Sequence, residues 1–196
     1  MSLRTRLSSA ALICAVLGGG FAAQAAPAKV NLAGQFEFVS DAPLEKIYGT
    51  AGKVSGDIET DFDNLIATKG TIVVPVREMK TGNDTRDEHM RSAEWLDAET
   101  HPTISFLIEK VDVKGMEAKG DVKVATLAAT GKFTLHGVTT EMTTPVTVKW
   151  KGDKVKVEAN FDVKLSDYQI KGKDGVVGKK VGERIQIKGA LKGVAK

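Results

Sequence analysis

The side chains best equipped for chemistry gather in one stretch, residues 83–106, which reads NDTRDEHMRSAEWLDAETHPTISF. Arg86, Asp87, His89, Arg91 and Asp97 form the densest polar set in the chain. A histidine beside a carboxylate is the pairing used for general acid–base work. The spacing argues against it here, because Asp87 and His89 are two apart and would not face each other on a helix. Arg86 and Arg91 with acids nearby suit ion pairs that pin a helix to its support, which arginine makes bidentately. Ser92 has no GxSxG around it and no visible triad order, so it reads as a helix cap. The histidines are three, His89, His101 and His136. Neither HExxH nor a second histidine one turn after His89 is present, so no metal site is expected. No Gly-rich phosphate loop follows a strand and opens a helix. An enzyme built on Arg86, Asp87, His89 and Asp97 is therefore the weakest of three readings, behind a ligand-binding protein and a filled interaction module.

The same stretch carries helix-start chemistry. Thr85 followed by Glu88 fits a capping box, with Asp84 as a competing cap and acids in the first turn. Ser92 begins a second short turn carrying Trp95 and Leu96, and Pro102 ends it before Thr103, Ile104, Ser105 and Phe106 start a strand. Almost everything else alternates apolar and polar. Phe36 and Phe38 share one parity, as do Ile72, Val74 and Val76, with Pro75 marking an edge, a bulge or a strand end. Glycines at 49, 52 and 56 predict a bent or bulged strand over residues 47–58. Ile104, Phe106 and Ile108 share a face, and Val111 and Val113 then switch parity, which predicts a bulge near Glu109. His136-Gly137 suits a two-residue hairpin loop. Val146, Val148 and Trp150 return on one parity, and the run from Val155 through Phe161 to Leu165 is the cleanest strand in the sequence. Roughly eight strands at hairpin spacing, without a βαβ rhythm, predict an antiparallel all-β barrel or sandwich with one helical excursion near residues 84–97.

The first 25 residues have a different character. Arg4 and Arg6 precede an apolar run, and Ala23-Gln24-Ala25 supplies the small residues of a cleavage site. Residues 1–25 are expected to be a cleaved signal peptide, leaving residues 26–196 as a single domain in the periplasm or secreted. The run is shorter than the ~20 apolar residues of a membrane span, so no stable membrane anchor is expected. Cys14 is the only cysteine in the chain, so the mature domain is expected to rely on core burial without disulfides. Removing two arginines takes the net charge from +3 to +1, which gives no support for nucleic-acid binding. Apolar parity cannot separate a filled core from a ligand cavity, since a barrel of about eight strands is just wide enough for either.

Two stretches resemble a known family. RDEHMRSAEWLDAETHPTISF is similar to the YceI-like signature R-D-x-H-x-R-S, an aromatic, then D, then P-x-I/V-x-F. Arg86, Asp87, His89, Arg91, Ser92, Trp95, Asp97, Pro102, Ile104 and Phe106 fall in register with it. GKFTLHGVT, residues 131–139, resembles the family's second landmark, a strand ending T-L/I-H-G-V/I-T. The likeness covers the body in layout and is close over residues 71–148. Residues 35–40 differ, lacking the His-Ser element with which the family usually opens.

The resemblance implies an eight-stranded antiparallel lipocalin-like barrel, exported, often dimeric. It also implies an elongated apolar cavity holding a polyisoprenoid, an isoprenoid quinone or a related long-chain amphiphile, for transport or storage and with no other cofactor. Parity then nominates Phe36, Phe38, Val74, Phe106, Ile108, Phe133, Leu135, Val146, Val148 and Phe161 as lining. Trp95 is expected to anchor the helical segment near the cavity mouth.

Overall fold

The computed structural model describes residues 27–172, 176–177 and 179–196. The expected signal peptide lies outside the described residues. Nine strands and one helix follow in order: β1 (Ala28–Asp41), β2 (Lys46–Thr60), β3 (Lys69–Pro75), β4 (Met79–Lys80), α1 (Asp84–Arg91), β5 (Thr103–Lys119), β6 (Val122–Leu135), β7 (Val138–Lys151), β8 (Lys154–Lys164) and β9 (Arg184–Ala195). Eight strands close into an antiparallel ring in the order β1-β9-β8-β7-β6-β5-β3-β2, with β2 returning to β1. The two-residue β4 pairs beside β2. Closure removes the sheet edges that would otherwise invite aggregation.

Local sequence explains several joints. His136 and Gly137 both take positive φ, 51° and 74°, joining Leu135 to Val138 in the kind of two-residue turn whose twist matches a hairpin. The register of β5 against β6 shifts between Ile108 and Lys110, so Glu109 is the bulged residue. β3 ends at Pro75, which has no N–H to continue a ladder. Val111 and Val113 keep one parity, opposite Ala129 and Leu127, yet Val111 is buried and Val113 exposed; a second register shift follows between Val113 and Gly115. The β1–β2 register jumps between Gly34 and Phe36, where β2 advances from Val54 to Ala51. That is the bulge its glycines foretold.

The helix starts two residues earlier than its capping-box signal, with Asn83 in place of Thr85 as the cap. Asn83, in extended backbone, accepts a hydrogen bond from the Arg86 N–H at 3.0 Å, and Thr85 is an exposed helical residue. The reason lies in Asp87. It is buried and accepts from both the N–H and the hydroxyl of Thr81, at 2.7 and 2.6 Å, which fixes the helix phase against the loop before it.

Two apolar clusters fill the barrel. One, including Val30, Leu32, Ile58, Val111, Leu127, Trp150 and Leu191, occupies the half nearest the β1 start and β9 end. The other, including Val76, Leu96, Phe133, Leu135, Val163, Leu165, Tyr168 and Ile170, occupies the half beneath α1. The ladders run short on two sides of the ring. On one, β3 pairs with β2 only over residues 69–73 and with β5 only over residues 70–75, with β4 and residues 65–67 covering the gaps beside it. On the other, β7 and β8 pair only from Val146↔Ala159 to Lys151↔Lys154, and residues 138–145 and 160–164 have no register partner across that wall. Each still pairs on its other side, with β6 and β9. Pro145, unable to donate a backbone hydrogen bond, stands where the pairing stops.

Candidate functional site

A cavity of about 130 Å³ runs between the two clusters. The strands place its lining by simple alternation. β1 contributes Phe36, β3 Val74, β5 Phe106 and Ile108, β6 Phe133, β7 Val146 and Val148, and β8 Phe161. All eight were expected from parity. No charged side chain lines it, and its few polar groups are Thr60, Thr68, Ser105 and Thr144. The hydroxyls of Thr60 and Thr68 satisfy each other at 2.6 Å, and Thr144 reaches the Pro145 carbonyl at 3.4 Å. An apolar group gains from entering such an interior.

Three nominated residues stand elsewhere. Phe38 follows the inward parity of Phe36 but is absent from the cavity lining, its ring covering Gly49, where a Cβ would run into it. Leu135 belongs to the plug beneath α1. Trp95 packs on that same plug with its ring against Gly172, so it anchors the helical segment as expected without reaching the cavity. In the other direction, Phe62 and Leu65 line the cavity from the β2–β3 link. A turn has no period, so only the aromatic and aliphatic character of these two could have flagged them. Phe62 packs on Trp150 with centroids 5.5 Å apart and closes the β1-start end of the barrel.

Part of the polar signature is assembled and part dispersed. Arg86 donates to Glu45 at 2.7 Å and to the Thr81 hydroxyl and carbonyl, binding α1 to the barrel rim. Arg91 donates to the Met79 carbonyl at 3.0 Å. His89 is exposed on α1. Asp97 lies in the turn after α1, its carboxyl held below the usual range chiefly by hydrogen bonding from Thr100, with lesser help from His101 and His136. His101 and His136 meet edge-to-face at 5.3 Å, and His136 Nδ1 donates to the Tyr168 carbonyl at 3.1 Å. Arg86 and Asp87 thus meet on Thr81, where they fasten α1 to the loop before it, while His89 and Asp97 stand apart from them. Among the described residues, no three His, Cys, Asp or Glu side chains stand close enough to hold a metal ion.

Known proteins share this layout. The chain is 29% identical over 177 residues to the protein YceI of Escherichia coli O6:H1, covering 85% of this chain and 88% of that one. It is 28% identical over 201 residues to a UPF0312 protein of Pseudomonas aeruginosa, covering 95% and 98%. Among solved structures, BcnA of Burkholderia cenocepacia superposes with a TM-score of 0.67 at 22% identity, covering 84% of this chain and 95% of that one. A polyisoprenoid binding domain from Saccharophagus degradans does so with a TM-score of 0.60 at 16% identity, covering 87% and 99%. The YceI-like domain model matches residues 24–192. With the signature residues pinning α1 to a closed eight-stranded barrel, the chain belongs to the YceI-like domain family.

Proposed function

We propose that this chain is a non-catalytic binding protein that holds a polyisoprenoid, an isoprenoid quinone or a similar long-chain amphiphile by its tail. It acts after export, in the periplasm or outside the cell, carrying or storing a molecule that water would exclude. The observation that supports this reading is the uncharged, almost wholly apolar lining of a closed barrel. Each methylene moved from water into such a lining contributes about 0.8 kcal/mol, so a long tail binds without any dedicated polar contact. The description of the Saccharophagus degradans structure as polyisoprenoid binding points the same way.

The cavity volume favours one competitor. About 130 Å³ is close to the size of cavity that accepts a benzene and well below the ~300–1,000 Å³ of ordinary ligand pockets. On that ground a filled barrel serving as an interaction protein is the second reading. The carrier reading requires Phe133, Met142 and Phe161 to swing aside as the tail threads in. Native mass spectrometry of the protein purified from its own host, followed by organic extraction, separates the two. The carrier reading expects a stoichiometric adduct that extracts as an isoprenoid, on a chain whose mass begins at Ala26. A bare mass, unchanged after incubation with polyprenols and isoprenoid quinones, moves the function to the filled barrel. The same spectra report whether the protein is a dimer.

A further inference from the structure

Both ends of the barrel are stopped by packed side chains. Phe62, Leu65 and Trp150 close the β1-start end, and Leu135, Leu165, Tyr168 and Ile170 close the end beneath α1. The side wall between β7 and β8 is different. Above the Val146↔Ala159 pair no ladder joins the two strands. The next tie is side chain to side chain: the Thr140 and Tyr168 hydroxyls share a hydrogen bond of 2.8 Å. Between these two fastenings the wall is filled by Met142 and Phe161, both only half-buried, with Phe161 edge-on to Phe133 at 6.2 Å.

Outside this fork lies a second hollow, a groove of about 470 Å³. Val146 and Ala159 line both the groove and the interior cavity, so one residue pair separates them. The groove mixes the polar side chains Gln35, Glu37, Glu158, Asn160 and Lys188 with a larger apolar share from Pro145, Val146, Ala159 and Ala190. Its charges are already answered. Glu158 receives Lys149 and Lys156 at 2.8 and 2.7 Å, and Glu37 stands opposite Lys188 in the β1–β9 register.

We propose that the unpaired β7–β8 wall is a lateral portal, through which the tail enters sideways while a neutral hydrogen-bonding head, a hydroxyl or carbonyl, stays in the outer groove. This rests on the carrier reading and supplies its route. Side chains can turn aside without breaking a ladder, whereas the other unladdered stretches, beside β3, are covered by β4 and by residues 65–67 and 76–78. A balanced groove favours a neutral head over a phosphate, which would meet Glu37 and Glu158.

Thr143→Cys with Asp162→Cys places two outward thiols across the portal in a domain otherwise free of cysteine, and Glu141→Cys with Lys164→Cys does so one step higher. Each is tethered with a short bis-maleimide, and uptake of geranylgeraniol is followed by native mass spectrometry. Leu107→Cys with Lys132→Cys, opposed in the β5–β6 ladder, is tethered as the closed-wall control. Portal tethers are expected to slow uptake by about tenfold or more, while the same variants capped with N-ethylmaleimide and the control tether load as wild type. Wild-type uptake through both portal tethers overturns the portal but leaves the carrier reading intact. Absence of uptake by the untethered protein overturns both. Tighter binding of geranylgeranyl phosphate than of the alcohol overturns the head-group assignment.

Discussion

At the residue scale, Arg86, Asp87 and Arg91 bind α1 to the rim of the barrel. Asp87, the most chemically suggestive of them, spends both its hydrogen bonds from Thr81 on orienting a helix. The residue with the largest electrostatic perturbation lies outside the signature. Hydrogen bonds from Lys149 and Lys156 hold the Glu158 carboxyl down to about 2 from an ordinary 4.5. A folded value below the unfolded one means that its stabilisation is complete above about pH 4.5 and is lost as pH falls towards 2. Glu158→Gln is therefore expected to flatten the fall of the urea midpoint across that window and to change little at pH 7.5 relative to its own value at pH 5. Because the pair is about a third exposed, with Glu158 at 35%, added salt should shrink the wild-type slope. A slope identical in wild type and variant at low salt would show that other carboxylates govern acid unfolding.

At the element scale, parity read the strands well because each has one wet and one dry face. It does not report how far an inward face stays covered: Val111 and Val113 share a parity, opposite Ala129 and Leu127, but only Val111 is buried. Helix α1 shows the other kind of miss. Asn83, Asp84 and Thr85 are all competent caps, and propensity alone cannot choose among them. The buried contact of Asp87 with Thr81 makes the choice, so Asn83 accepts from Arg86. Asn83→Ala should cost about 1 kcal/mol in chemical denaturation, whereas Thr85→Ala should be close to neutral. The reverse order would restore the capping box at Thr85. The cavity lining was legible on β3, β5, β6, β7 and β8 for the same period-2 reason, and illegible on the β2–β3 link, where Phe62 and Leu65 turn inward from an irregular segment.

At the scale of the whole molecule, the barrel combines a closed ring with a small, apolar interior of about 130 Å³. Such an interior leaves stability to be gained when an apolar tail fills it. Anything that binds only the folded state raises its stability, by about 2.7 kcal/mol when present at a hundred times its Kd. Protein stripped of lipid by organic extraction and refolded is accordingly expected to melt several degrees lower than the same protein resaturated with geranylgeraniol. Equal melting temperatures with and without the alcohol would argue for a core already complete. Exposed apolar side chains such as Leu44, Tyr48, Ile66 and Met116 are scattered over different elements and need no partner to explain them.

The class, the hairpin order, the helical excursion and most of the inward face are legible in the sequence. Each of these is written in local periodicity and in turn or cap residues that act within a few positions. The signature likewise marked its residues, though not their employment. It takes the packing of distant segments to set Arg86 and Asp87 together on Thr81 with His89 and Asp97 apart, to leave Phe38, Trp95 and Leu135 off the cavity, and to separate β7 from β8 above Val146 and Ala159. Those outcomes depend on which strands meet across the ring and how far each ladder runs. They are contacts between residues distant in sequence, and no period within a strand records them.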